Sequence, residues 1–176
     1  AGTEDVRLNI KVNDDGAIVQ RWMENRDPPP FYGQMLKFKG KCDRLQYYEV
    51  RFPSLALNKS VFTPTGTGGF DKELPDDAYI MMSYHFMTPI NENATRYHWL
   101  QHRNSDPDNE EISRLAADGA RAAFEEDRLV LTAVHSGLLN KVTPNIDLAL
   151  DSAALRFRRV LDKLITQEQE TAAAAE

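Results

Sequence analysis

An α+β fold, an antiparallel sheet with helices packed on one of its faces, is what the order of patterns along this 176-residue chain predicts. Two observations carry that prediction. Period-two alternation of apolar and polar residues dominates up to about residue 104, and helical periodicity takes over afterwards, with no strand–helix–strand alternation. The breaks between the strand-like stretches are turn-forming segments of the kind that join antiparallel neighbours.

Taken in order, Val6, Leu8, Ile10 and Val12 alternate with polar residues and predict a half-buried strand. Asn13-Asp14-Asp15-Gly16 is turn chemistry, and Ala17 to Met23 returns as the second arm of a hairpin. Asp27-Pro28-Pro29-Pro30 stops it, and Phe31 to Lys41 shows no clear period, so a loop or short helix is expected. Leu45 to Phe52, rich in Tyr and Val, and Leu55 to Phe62 are two further strands around Pro53-Ser54. Thr63 to Gly69 holds three glycines and a proline and reads as a flexible connection. Ala78 to Met87 is the most apolar strand. Thr88 to Asn93 connects it to Thr95–Asn104, whose alternation sets Tyr97, Trp99 and Gln101 on one face and His98, Leu100 and His102 on the other.

After Ser105 the pattern becomes helical. Asp106 is the expected N-cap, with Pro107 in the first turn, of a helix reaching about His135 with a break at Gly119. A polar link through Pro144 follows. Asp151 or Ser152 then caps a last helix carrying Leu155, Val160, Leu161, Leu164 and Ile165. The Ala-rich end from Thr171 is expected to fray. No internal repeat and no domain boundary is visible.

Composition narrows the function. With 21 basic and 27 acidic residues the chain carries a formal charge of -6 and has no Lys/Arg stripe. That argues against a nucleic-acid partner, which needs cations to replace phosphate counterions. No apolar run is long enough to span a bilayer, so no membrane partner is expected. The single cysteine, Cys42, excludes an internal disulfide or a Cys-based metal cluster within the chain. A reducing, cytoplasmic setting is the simplest reading.

Two polar residues sit in apolar patterns. Asp127 falls on the helical face of Ala116, Ala120, Phe124, Leu131 and Val134, while Glu125, Glu126 and Arg128 point elsewhere. A carboxylate on such a stripe is costly to bury unless a cation, a donor or a metal meets it. His85 lies in the apolar strand between Tyr84 and Phe86, where either a satisfied core residue or a functional group can stand. His98 and His102 are four apart on a strand, about 13 Å along its axis, too far to share a metal. The glycines of Gly66-Thr67-Gly68-Gly69 precede no helix, so they form no phosphate loop, and nucleotide-binding, nucleophile-elbow and His-Glu-x-x-His motifs are absent.

Several segments in register resemble a known family. They are Arg21-Trp22-Met23 followed by Pro28-Pro29-Pro30, Asp43-Arg44-Leu45-Gln46, His85-Phe86-Met87-Thr88-Pro89-Ile90-Asn91-Glu92, Tyr97-His98-Trp99, Phe124 to Leu131, and Ala154 to Ile165. Together they cover nearly the whole chain and resemble the C-terminal catalytic half of Rieske non-haem iron oxygenases of the vanillate O-demethylase and dicamba monooxygenase type.

That resemblance implies a helix-grip (START-like) domain, a curved antiparallel sheet packed against a long C-terminal helix with a substrate pocket between them. It implies a mononuclear Fe(II) held by two histidines and a carboxylate, with the carboxylate mapping to Asp127. The two histidines would lie in a helix upstream of Val6, and a 2Fe-2S cluster in a separate Rieske domain, both outside this chain. His85 maps to a substrate-contacting position. Asp118 maps to another that is aromatic in the dicamba enzyme, so it either touches substrate or faces solvent. The implied activity is hydroxylation or O-demethylation of a substituted aromatic acid with O2, fed by a reductase or ferredoxin, in a homotrimer of the full subunit. The chain, as one domain from residue 1 to 176, would be the C-terminal portion of that subunit. A non-enzymatic small-molecule binding module of the same fold is the alternative.

Overall fold

Residues 6–70, 72–140 and 146–174 are described by the structure, a computed structural model. They form two compact units. One comprises the chain to Ser105 together with the segment from Ala149 onward, and the other is Asp106–Leu148.

The first unit is a six-stranded, fully antiparallel meander, β1 (Arg7–Asn13), β2 (Gly16–Arg26), β3 (Cys42–Arg51), β4 (Leu55–Pro64), β5 (Tyr79–Asn91) and β6 (Ala94–Arg103), in spatial order β1-β2-β3-β4-β5-β6. A short helix α1 (Pro30–Gly33) follows the triple proline, which resolves the aperiodic stretch after residue 30. The sheet is curved, and the C-terminal helix α3 (Ser152–Ala173), entered through a 3-10 turn at Ala149–Asp151, packs against β1 and β2. Phe157 of α3 stacks on Phe52 with ring centroids 4.7 Å apart. Lys163 of α3 meets Asp14 in the first hairpin at 3.4 Å. The α+β, helix-grip expectation is borne out.

The hairpin turns follow from side chains that satisfy their own backbone. Asn13 Oδ1 accepts from the N–H groups of Asp15 and Gly16 at 3.2 and 3.1 Å, the Asx-turn that closes β1 on β2. Gly16 has φ +154°, and a Cβ there would lie 1.8 Å from the Val50 carbonyl oxygen, so β2 can approach β3 only with glycine at this place.

Four boundaries differ from the sequence expectation. Strand β5 continues through Thr88-Pro89 to Asn91, with an irregularity between Pro89 and Asn91 that accommodates the missing proline N–H. Helix α2 (Glu110–Asn140) of the second unit starts three residues after Pro107. Its cap is Asn109, whose Oδ1 accepts from Glu111 and Ile112, while Asp106 takes φ +45° in the preceding turn. Gly119 does not interrupt α2, which passes His135 and ends at Asn140. Thr171 to Ala173 are helical rather than frayed, because α3 extends to Ala173. The link around Pro144 lies outside the described residues.

Alternation and register together sort the strands onto two faces. Trp22, Asp43, Leu45, Glu49, Leu57, Val61 and Tyr84 stand on one, here the Trp22 face. The other, the His85 face, carries Arg21, Arg44, Tyr48, Asn58, Phe62, Tyr79, Ser83, His85, Trp99 and Gln101. The core is densest at the β3–β5 end of the sheet, where Phe62 and Val61, on opposite faces, are both buried. The α1 side chains Tyr32 and Phe31 and the adjoining Met35 reach the His85 face there. Tyr32 packs on Phe62 at 4.6 Å between centroids, and the Tyr79 hydroxyl meets Met35 Sδ at 3.3 Å.

Candidate functional site

The His85 face holds its residues in transverse rows set by register. Met23, Arg44, Phe62 and Tyr79 make one row; Arg21, Gln46, Ser60, Met81 and Arg103 the next; Val19, Tyr48, Asn58, Ser83 and Gln101 the third; Ala17, Val50, Ala56, His85 and Trp99 the fourth. No strand residue that register places on this face, from Leu8 on β1 to Arg103 on β6, is a carboxylate. For a chain with a surplus of six acids that is an uneven distribution, and it leaves the face cationic.

Arg44 is the most constrained of these cations. Its guanidinium lies over the rings of Tyr32 and Phe62, 5.7 and 5.2 Å from their centroids. Its Nε is buried and makes no hydrogen bond among the described residues. Burial pulls its pKa below the ordinary arginine value, with the neighbouring Arg21 charge acting in the same direction. Tyr48 stands beside both arginines. Burial raises its phenol pKa and so keeps it a hydrogen-bond donor. One row on, Asn58 Oδ1 and Gln101 Oε1 are likewise buried and without partners among the described residues.

At the far end of the face, the half-buried His85 ring stacks against Tyr97 at 5.7 Å, and its Nδ1 is hydrogen-bonded to the Tyr97 hydroxyl. Burial lowers the His85 pKa from 6.5, which favours neutral imidazole, able to donate from one nitrogen and accept at the other.

The Trp22 face is built differently. Asp43, only 2% exposed, accepts from the backbone N–H groups of Asn25 at 2.9 Å and Gly66 at 2.7 Å. Both donors have positive φ, +53° and +85°, so one carboxylate pins the β2 bulge and the glycine loop. Glu49 accepts from the Tyr47 hydroxyl at 2.6 Å and Arg51 Nε at 2.5 Å. Burial and the bond to Glu49 push the Tyr47 phenol up to about 12. An open groove of ≈ 540 Å³ runs over this face between Leu45, Leu57, Phe70, Met82 and Tyr84. The glycine segment is not a slack connection: a Cβ on Gly68 would come within 2.6 Å of the Trp22 ring, so the loop is packed onto the sheet.

Of the residues singled out by sequence, His85 lies on the polar sheet face together with Trp99 and Gln101. Asp118 is on α2, exposed, and paired with Arg121 three residues on at 2.9 Å. Asp127 is also on α2 and exposed, as are Leu131 and Val134 of the same stripe, at 66% and 50%. The expected buried acid is therefore not found. The stripe is buried only at Ala116 and Ala120, two or more turns earlier, so the argument for a cation from burial of Asp127 fails. His98 and His102 are exposed on β6.

The described residues do not by themselves fit a two-histidine, one-carboxylate iron site, and no group of three His, Cys, Asp or Glu able to hold a metal occurs among them. The one histidine on α2, His135, is eight residues from Asp127, about 12 Å along the axis. The pairing of Arg44 with Arg21, and the amides of Asn58 and Gln101, were not foreseen from sequence, where each is an ordinary polar strand residue. The available signal was the alternation that sets them on one face of four antiparallel strands.

A family model described as the vanillate O-demethylase oxygenase C-terminal domain matches residues 1–167. The iron–sulfur subunit of a toluene-4-sulfonate monooxygenase system from Comamonas testosteroni is 32% identical over 85% of this chain and 44% of its own length. A vanillate O-demethylase oxygenase subunit from a Pseudomonas strain is 28% identical over 98% of this chain and 50% of its own. The chain thus spans about half the length of the curated relatives it matches. Among solved structures, dicamba monooxygenase bound to 3,6-dichlorosalicylic acid superposes with a TM-score of 0.81 at 20% identity, over 94% of this chain and 48% of that one. A second structure, described as containing non-heme iron and dicamba, gives 0.73 at 22%, over 94% and 50%. At these identities the structures establish the fold.

Proposed function

This chain belongs to the family of vanillate O-demethylase oxygenase C-terminal domains, and from that premise we propose that it is the catalytic-domain portion of a Rieske-type non-haem iron oxygenase acting on a substituted aromatic acid with O2. The observation that carries the reading is the family match over 1–167, joined to a sheet face with a cationic end, an aromatic and imidazole end, and unsatisfied amides between them. Both curated relatives are named for aromatic acids, and that substrate class is carried over to this chain as part of the proposal.

In this reading His85, held neutral by burial and fixed by Tyr97, contacts the substrate, and Trp99 and Tyr97 wall its ring. Asp127 would supply the carboxylate of a mononuclear iron, whose other two ligands, like the electron-delivering 2Fe-2S cluster, would belong to parts of the subunit outside this chain. Such a site would supply the chemistry of oxygen activation. Asp118, already neutralised by Arg121, faces solvent. A reductase or ferredoxin supplies electrons, and the full subunit assembles as a homotrimer. Among the described residues no helix is long and apolar enough to cross a membrane.

The deciding test joins the coding sequence upstream of Ala1 to the metal content of the polypeptide it encodes. An in-frame Asn-x-x-Asp-x-x-His-x-x-x-x-His segment is expected, with mononuclear iron lost in Asp127→Ala while the cluster's absorbance persists. A stop codon directly ahead of Ala1, or unchanged iron in Asp127→Ala, would refute the oxygenase reading.

A further inference from the structure

We propose that Gln101 selects for a ring hydroxyl on the aromatic acid: its side-chain carbonyl accepts the hydroxyl proton while the other end of the ring lies against His85. The inference rests on the aromatic-acid reading above and narrows the substrate class to hydroxylated aromatic acids.

Register sets the distance. Trp99 lies directly opposite His85 and Gln101 opposite Ser83, so Gln101 is a diagonal neighbour of His85 on the same face. Diagonal neighbours stand about 7–8 Å apart, an interval that one benzene ring with a substituent at each end spans. Chemistry sets the ligand group. Gln101 Oε1 is buried and accepts no hydrogen bond among the described residues, whereas the nitrogen of the same amide is not among the buried unpaired atoms. What the side chain lacks is a proton donor. An ionised acid group has no proton to offer and would set lone pairs against lone pairs, while a phenolic hydroxyl is neutral and donates. The acid end of the ligand is thereby directed away from Gln101, towards the imidazole. A buried acceptor without a donor is a standing cost to the fold, and a ligand hydroxyl removes it.

Asn58 Oδ1, across Ser83 in the same row, is the other carboxamide oxygen without a partner among the described residues. Asn58 and Gln101 are two strand intervals apart, about 10 Å, so one hydroxyl meets one of them. The aromatic residues decide between the two. Stacking and a hydrogen bond to Tyr97 tie the His85 ring to β6. Trp99 is on the same strand, and Gln101 is the next residue of that strand on this face. A ring seated against His85, Tyr97 and Trp99 therefore has Gln101 at its end.

Titration calorimetry tests this on the polypeptide that the whole coding sequence encodes, without reductant, using vanillate and 3-methoxybenzoate, which differ only in the ring hydroxyl. The wild type should bind vanillate about 3- to 10-fold more tightly, the range of one neutral hydrogen bond. Gln101→Met, similar in size but with no carbonyl, should bring that ratio to about one by weakening vanillate and leaving 3-methoxybenzoate unchanged. Its urea midpoint should hold or rise, because a buried unpaired oxygen is removed; Gln101→Leu keeps the test alive should the methionine variant fail to fold. Equal binding of the two acids by the wild type, the result if a water alone meets Oε1, overturns the assignment, as does an undiminished ratio in Gln101→Met. A ratio lost in Asn58→Leu but kept in Gln101→Met places the acceptor across Ser83 and overturns it too. In each of these cases both acids still bind, so the aromatic-acid reading stands. Binding of neither acid overturns that reading and this inference together.

Discussion

The two faces of one sheet are finished to different standards. On the Trp22 face each buried carboxylate is met: Asp43 by two backbone N–H groups, Glu49 by a phenol and a guanidinium. On the His85 face Arg44, Asn58 and Gln101 each keep a buried polar atom without a partner among the described residues. The strands are the same strands, so backbone geometry cannot be the cause. What differs is the pairing of side chains. A face that only holds the sheet together gains from satisfying every group, since each unmet one is a loss. A face that receives a ligand leaves groups open for it. Thr63 Oγ1 is the one exception on the Trp22 face, and Gly68 packs directly over it.

By that contrast, mutations on the Trp22 face should cost stability, and those at the unpaired polar groups of the His85 face should cost little. The largest effect is expected at Trp22. It is 3% exposed, packs against Phe70 at 6.1 Å between centroids, and has Gly68 against its ring. Trp22→Ala should cost about 3–5 kcal/mol in urea unfolding, the range for deleting a buried aromatic. A loss below about 1 kcal/mol would mean that the glycine loop is not seated on the ring.

Asp43→Ala comes next. It removes no large volume but leaves the amides of Asn25 and Gly66 unpaired, and both residues occupy positive φ. The expected cost is about 2–4 kcal/mol, accompanied by faster hydrogen exchange at those two amides specifically. Uniform exchange across the sheet would instead show that Asp43 acts through global stability alone.

The sequence was a good guide to the sheet and a poor one to the site, for the same physical reason. Strand alternation is local and survives in single residues, so Val6 to Val12 and Tyr97, Trp99 and Gln101 declared their faces before any pairing was known. The placement of Arg21 and Arg44 on one face depends on which strand lies beside which and in what register, and nothing local encodes that. Resemblance reached further than pattern did, because Asp43-Arg44-Leu45-Gln46 was visible as a segment. Even so, it could not show that its acid and its arginine serve opposite faces. Asp127 failed for the converse reason. Helical periodicity was read correctly, but periodicity says which residues share a side, not whether that side is covered. Leu129, Val130 and Leu131 are exposed all round the helix.

The smallest stability effect is expected where the contrast predicts it, at Arg44. Replacing it with glutamine removes two cation–π contacts, together worth about 1–2 kcal/mol at partly exposed sites. The same change removes a half-buried charge with no counter-ion, and the like-charge repulsion from Arg21. Those penalties run to similar size and opposite sign. The net change in Arg44→Gln should therefore fall within about 1 kcal/mol of zero by urea unfolding, and a gain in stability is as consistent as a small loss. Such neutrality, set against a clear loss in Asp43→Ala one residue earlier on the same strand, would show that adjacent side chains do different jobs. A loss at Arg44 as large as that at Asp43 would mean that the arginine is part of the scaffold, and the two faces would then differ only in which of their partners are visible.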